Sequence, residues 1–297
     1  MLPPGAQVPP VTTLRRVQVQ ELWRYPVKSM IGERVGAVDL VGSGIVGDRE
    51  WACRDLERGG IRGAKKIAGL MRLAAAHTDG PGSPVRITLP DGSHVLTTDD
   101  DVDARVAAAV GHPVRLEALR PAEDLDHFRR GAPDSDDLLE ELQAIFGRED
   151  GEPLPDLSVF PPEVVEFESP PGTYHDAFPL LLVSTAALAT LAGALPDSVV
   201  DVRRFRPGVV VDAGPGPTGY PEFDWVGRRL RIGDAELEVV TRCPRCVMVT
   251  REVGPGVPAD RAVLRHIVRE LDQDLGVYAT VSVPGQVRVG DTVTLLG

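Results

Sequence analysis

Apolar and polar positions alternate along this chain in short spans, cut by Gly, Pro and Asp. Val17, Val19 and Leu22-Trp23, ahead of a break at Tyr25-Pro26, predict a strand, and Val35 to Leu40 alternates again. Gly42, Gly44, Gly47 and Asp48 punctuate a turn before a further span, Trp51 to Asp55. Val85 to Leu89 and His94 to Thr97 flank Pro90-Asp91-Gly92, a hairpin signal, because Asp-Gly accepts the positive φ of a tight turn. Asp101 to Val110 predicts a short Ala/Val-rich helix, stopped by Gly111-His112-Pro113, and Val114 to Leu119 a further strand. Residues 15–120 therefore read as a mostly β unit with one or two small helices.

Between 121 and 172 the pattern changes. This segment is acidic, carries prolines and is poor in strand formers; we place the domain junction here. Ser135 to Phe146 predicts a helix with Leu138, Leu139, Leu142 and Ile145 on one face, and Arg148 to Pro155 an exposed loop. Periodicity returns over 173–297. Pro179 to Val183 is a continuous apolar run, Ser184-Thr185 supplies a cap for a helix to Leu195, and Val209 to Val211 predicts a strand. Leu230 to Val240 reads as two strands around Gly233-Asp234, and Ala262 to Leu271 as an amphipathic helix. Leu275 to Val283 and Val287 to Leu295 read as closing strands around Pro284-Gly285. Many short strands with few helices predict a mostly β fold with α (α+β) and barrel-like packing.

Composition narrows the function classes. A net charge of -12 argues against a general nucleic-acid binder, which needs a basic face, yet leaves room for a local cationic pocket. Arginines cluster at Arg203-Arg204-Phe205-Arg206 and at Arg242, Arg245 and Arg251. Three cysteines make no disulfide framework, so a reducing, cytoplasmic setting is expected. Residues 1–14 hold several prolines without a basic and apolar signal pattern, and read as a disordered tail; no apolar run is long enough for a membrane span.

The densest chemistry lies in Cys243-Pro244-Arg245-Cys246, two thiols beside arginines at the end of an alternating strand. Cationic neighbours favour thiolate, a strong nucleophile and soft metal ligand. Structural zinc takes four ligands, and beyond Cys53 the six histidines offer no spaced pair. A thioredoxin-type dithiol opens a helix, whereas Val247, Val249 and Thr250 place this pair at a strand edge or loop. Ranking above these two readings are one active thiolate beside a packing cysteine, and two buried cysteines acting as small hydrophobes. Elsewhere Tyr25-Pro26-Val27-Lys28-Ser29, Gly47-Asp48-Arg49 and Phe205-Arg206-Pro207-Gly208 are turns presenting Lys, Ser and Arg, a set suited to phosphate or another anion.

In this order, these turns and Arg245-Cys246 resemble the MOSC (molybdenum cofactor sulfurase C-terminal) proteins that carry an N-terminal MOSC β-barrel domain. Val283 to Asp291 is similar to the family's last strand pair. The resemblance runs from about residue 16 to the C-terminus, the middle segment 121–171 excepted. It implies a MOSC-type β-barrel over 173–297, a smaller N-terminal β domain over 15–120, and molybdenum cofactor (molybdopterin). From the amidoxime-reducing members it implies Cys246 as metal ligand, Lys28, Ser29, Arg49, Arg206 and Arg245 as cofactor-binding residues, and Asp176 as an acidic residue near the metal that handles protons. It also implies a small-molecule substrate of the N-hydroxylated kind and a separate electron-transfer protein as partner; the acidic balance and the lack of a long apolar run are what speak against nucleic acid and membrane as partners. Other implied roles are sulfur carriage by a persulfide on Cys246, non-catalytic cofactor carriage, and the family's association with pyridoxal phosphate. Ser184 reads as a pterin contact or as a helix cap. The chain departs from the pattern at Gly208, where relatives often have Asn, and at Val247 to Thr250, where they usually carry Thr-Thr.

Overall fold

The structure is a computed structural model that describes residues 17–214 and 218–296; the expected tail over 1–14 lies outside the described residues. The first half forms strands β1 (Val17–Arg24), β2 (Glu33–Val35), β3 (Ala37–Val41), β4 (Gly44–Ile45), β5 (Trp51–Asp55), β6 (Ala74–His77), β7 (Val85–Thr88), β8 (His94–Leu96) and β9 (Val114–Ala118). Helix α1 (Val102–Val110) precedes β9 and ends, as its sequence predicts, on Gly111 with φ 72°. The middle segment carries α2 (Leu125–Phe128), α3 (Leu138–Phe146) and α4 (Glu163–Glu166). The second half forms β10 (Leu180–Ser184), α5 (Thr185–Ala194), β11 (Val209–Asp212), β12 (Arg229–Ile232), β13 (Ala235–Pro244), α6 (Arg261–Glu270), β14 (Asp274–Val283), β15 (Gly285–Arg288) and β16 (Thr292–Leu296).

A closed seven-stranded barrel holds the molecule together, in the order β11-β10-β14-β13-β12-β16-β1, with β1 returning to β11 and β2 extending its edge. Closure removes exposed strand edges. Alternation along β12 and β13 sends Leu230, Ile232, Leu237 and Val239 inward, where they meet Leu22, Leu182, Val209, Val277 and Val293. The register of β13 against β14 shifts at three places, the last between Arg242 and Pro244. Such bulges bend a strand and re-aim its end, here just before Cys246. A second core in the N-terminal half gathers Val27, Met30, Leu70, Leu73, Ile87 and Val106; Met248, Val253 and Val257 from the second half pack into it.

Three local readings differ from the structure. The span Val287 to Leu295 is two strands: β15 leaves the barrel to pair with β3, and a turn at Val289-Gly290 precedes β16. The apolar run after Cys246 is a 3-10 helix, Val247–Thr250, because the chain has just left the sheet and Met248 and Val249 reach different cores. The middle segment is not simply solvated. Leu138 and Leu139 are exposed, but Phe128 and Phe167 are buried beside Tyr174, and Arg148, which opens the expected loop, is 7% exposed.

Candidate active site

Cys246 stands where β13 ends. Pro244 closes the ladder opposite Asp274, and the Arg245 N–H donates to Gln273 O at 2.8 Å. Cys246 follows in extended conformation at the start of the 3-10 helix and is half-buried, whereas Cys243 and Cys53 are buried. Burial pushes the Cys53 thiol up to about 12 and raises that of Cys243 despite the Arg245 charge beside it. Cys243 is 2% exposed, yet it too borders the cleft described below. Cys246 lies within electrostatic reach of Lys65, Arg148, Arg245 and Arg251.

Arg245 turns inward. Its Nη1 donates to Cys243 Sγ at 2.9 Å and its Nη2 to Phe205 O at 2.8 Å, tying the cysteine turn to the segment that presents Arg206. Arg148 donates from Nη2 to Arg245 O at 3.2 Å and to Gln273 Oε1 at 2.7 Å. Here the middle segment braces the thiol turn from outside the barrel.

Arg206 lies 4.2 Å over the Tyr25 ring, donates from Nη1 to Met30 O, and leaves Nη2 buried without a partner. Burial, reinforced by the like charge of Arg49, lowers its pKa to about 10. Arg49 pairs with Asp48, whose Oδ1 accepts from the Tyr25 N–H at 2.6 Å. Ser29, Arg49 and Arg206 all have positive φ, 69°, 51° and 59°. Among the described residues only Asp272 and Gln273 share this among non-glycines, and Gln273 supports the cysteine turn. Left-handed backbone at non-glycine residues costs energy and gathers at functional sites.

Asp176 completes the cluster. Its Oδ1 accepts from Lys28 Nζ at 2.8 Å and lies 3.4 Å from Lys65 Nζ. Burial works to raise its carboxyl, but Lys28, Lys65 and Arg49 hold it well below the usual range. With 40% of its side chain exposed, Asp176 meets the cleft while Lys28 lies beneath. Lys28 also donates to Tyr174 O at 2.8 Å and Ser169 Oγ at 3.3 Å. Ser29 Oγ accepts from the Ala64 N–H at 2.9 Å, and so faces the chain rather than the cleft. Ser184 caps α5 by accepting from the Ala187 N–H.

Thus Arg49, Asp176, Arg206, Arg245 and Cys246 line one cleft, with Ile45, Phe178, Leu181, Met248 and Tyr278 as apolar and aromatic walls. Lys28 and Ser29 support it from below. Reading the sequence missed Lys65 and Arg148. Lys65 had a signal, a Lys-Lys pair in a glycine-bearing stretch; Arg148 had none, since its partners lie 97 and 125 residues away. Among the described residues no group of three or more His, Cys, Asp or Glu could hold a metal ion, and no helix is long and apolar enough to cross a membrane.

His175, next to Asp176, gives this region a pH dependence. Its Nε2–H donates to Ser43 O at 2.9 Å, and burial, with Arg49 next, lowers its pKa to about 4. The folded state thus excludes a proton that the unfolded chain binds below about pH 6.5. Stability from this group is complete above that pH and falls as pH drops towards 4, by roughly 3 kcal/mol. Urea unfolding at pH 7.5 and 4.5 should show the loss, and His175→Gln should flatten it.

Comparison with known proteins adds the family. Residues 16–128 match the MOSC N-terminal beta barrel domain and residues 170–294 the MOSC domain. Mitochondrial amidoxime-reducing component 1 of Homo sapiens is 34% identical over 136 residues, 42% of this chain and 39% of that protein. Mitochondrial amidoxime-reducing component 1 of Mus musculus is 27% identical over 322 residues, 95% of this chain and 84% of that protein. The YuaD protein of Bacillus subtilis superposes with a TM-score of 0.43 at 12% identity, covering 94% of each chain. With both domain matches in sequence order around the barrel and its cysteine turn, the chain belongs to the MOSC family.

Proposed function

We propose that this protein binds molybdenum cofactor through Cys246 and reduces N-hydroxylated or N-oxygenated small molecules. The observation that carries the reading is the cleft itself: its lining, drawn from each half of the chain, includes a half-buried thiol and a buried guanidinium whose Nη2 has no partner. Lys28, Lys65, Arg49 and Arg206 face Asp48 and Asp176, with Glu168 in electrostatic reach of the two lysines, so the site keeps a surplus of positive charge suited to a phosphate-bearing group. A soft thiolate suits molybdenum. The residues present therefore fit the cofactor.

Cys246 would ligate the metal, and Arg206 and Arg49 would meet the pterin's anionic end. When bound, the cofactor supplies two-electron reduction with loss of the substrate oxygen as water. The protein orients the substrate between the walls formed by Ile45, Phe178 and Met248. Asp176 is held ionised at neutral pH, so its part in proton delivery is to orient a water or an ammonium donor rather than to store the proton. Lys28 and Ser29 shape the floor, and Arg245 fixes the relation of Cys246 to Arg206. Electrons would come from a separate electron-transfer protein. Free thiols throughout suit a reducing compartment such as the cytoplasm.

Protein produced in a host that makes the cofactor should contain about one molybdenum and one pterin per chain, and should reduce a model amidoxime with a chemical electron donor. Stoichiometric metal without reduction would indicate a cofactor carrier. Labile sulfane sulfur on Cys246 without metal would indicate a persulfide carrier.

A further inference from the structure

We infer that Lys65 is the cation that meets an anionic ligand group beside Cys246, with Lys28 holding Asp176 in place. This assignment rests on the cleft being a ligand site, as proposed above, but not on which ligand it takes. The ammonium of Lys28 has three donors, and Asp176, Tyr174 O and Ser169 Oγ engage all three. It is 3% exposed, and burial lowers its pKa. A phosphate or carboxylate could recruit it only by displacing one of these acceptors.

Lys65 is arranged differently. Its one close partner among the described residues is Asp176, at 3.4 Å, beyond a tight hydrogen bond for most of its donors. Its side chain is 21% exposed, and it interacts electrostatically with Cys246 as well as Asp176. The backbone that carries it is built into the site. Ser29 Oγ accepts from the Ala64 N–H, a Cβ on Gly63 would come within 2.6 Å of that same oxygen, and Arg251 Nη2 donates to Lys65 O at 3.1 Å. The Lys28-Ser29 turn therefore seats the segment that delivers Lys65, placing a part-exposed ammonium beside the Asp176 carboxylate and within electrostatic reach of the Cys246 thiol.

The assignment is tested by the charge selectivity of Cys246 alkylation in the full chain, made in a host that lacks the cofactor. Iodoacetate and iodoacetamide both react with the thiolate, forming the S–C bond and releasing iodide. Their rate ratio therefore reports local potential, independent of thiol ionisation. Peptide mass spectrometry confines the reading to Cys246. Relative to glutathione, the parent should prefer the anionic reagent, and the preference should fall with added salt. Lys65→Met should lower the ratio by about fivefold, and Lys65→Arg should restore it. Inorganic phosphate should slow iodoacetate attack in the parent and leave Lys65→Met unaffected. Should Lys65→Met not fold, Lys65→Gln gives the same reading. A ratio and phosphate effect unchanged by loss of the Lys65 charge would overturn the assignment. Selectivity in this protein, together with no molybdenum in the same chain made in a host that supplies the cofactor, would remove the proposed enzyme function and leave this assignment standing.

Discussion

Cys246→Ala is expected to fold like the parent and to lose molybdenum at least about tenfold, with amidoxime reduction lost in proportion. The thiol makes no capping hydrogen bond at the start of the 3-10 helix and is half-buried, so its removal should cost no more than about 1 kcal/mol of stability. Cys243→Ala should do the opposite. That thiol is 2% exposed and accepts from Arg245 Nη1, so the change leaves a small void and an unmatched guanidinium donor. It should cost about 1–2 kcal/mol while metal is retained. Molybdenum per chain, measured alongside urea unfolding, separates the two. Greater metal loss from Cys243→Ala at equal folding would show that the wrong sulfur has been assigned.

Arg204→Met should be among the most destabilising single changes in the chain, by about 3–5 kcal/mol. Arg204 is fully buried and donates to four carbonyls: Val199 O at 2.9 Å, Val249 O at 3.2 Å, Arg251 O at 2.9 Å and Pro258 O at 2.5 Å. Two of these, Val249 and Arg251, lie at the end of the 3-10 helix that follows Cys246. Burial lowers the pKa of Arg204, partly offset by Asp260 and Asp201. Methionine replaces much of the volume but leaves all four acceptors without a donor, and lysine lacks the fork to reach them. Arg203→Met is the control. Among the described residues Arg203 pairs only with nearby Asp201, both partly exposed, so its loss should cost less than about 1 kcal/mol. Denaturation midpoints of the two variants test this directly; a loss below about 1 kcal/mol for Arg204→Met would mean that the four carbonyls find other donors.

The contrast between those neighbours shows where reading the sequence stops. Arg203 and Arg204 are equivalent in pattern, and only the folded chain makes one a surface residue and the other a buried brace. Lys28 and Lys65 show the same limit at the site. A Lys-Ser turn is a sound candidate for anion binding, yet Tyr174, Ser169 and Asp176, brought from more than 140 residues away, occupy the Lys28 ammonium. The middle segment is a third case. Its acidic composition and prolines read as solvated loop, and nothing local reveals that Arg148 docks against Arg245 O and Gln273.

Local periodicity and turn chemistry were sufficient to find the β7–β8 hairpin, α1, α5, α6 and the β12–β13 pair, because each is stabilised by residues near one another in sequence. The order of motifs likewise led to the family and to Cys246, Asp176, Arg49 and Arg206 as neighbours. Tertiary structure alone decided that β1 closes the barrel against β11, that β15 leaves it for β3, and that the Lys28 ammonium is fully engaged while Lys65 beside Asp176 is part-exposed. Those outcomes depend on barrel closure and on competition for acceptors among distant segments, and neither leaves a period in the chain.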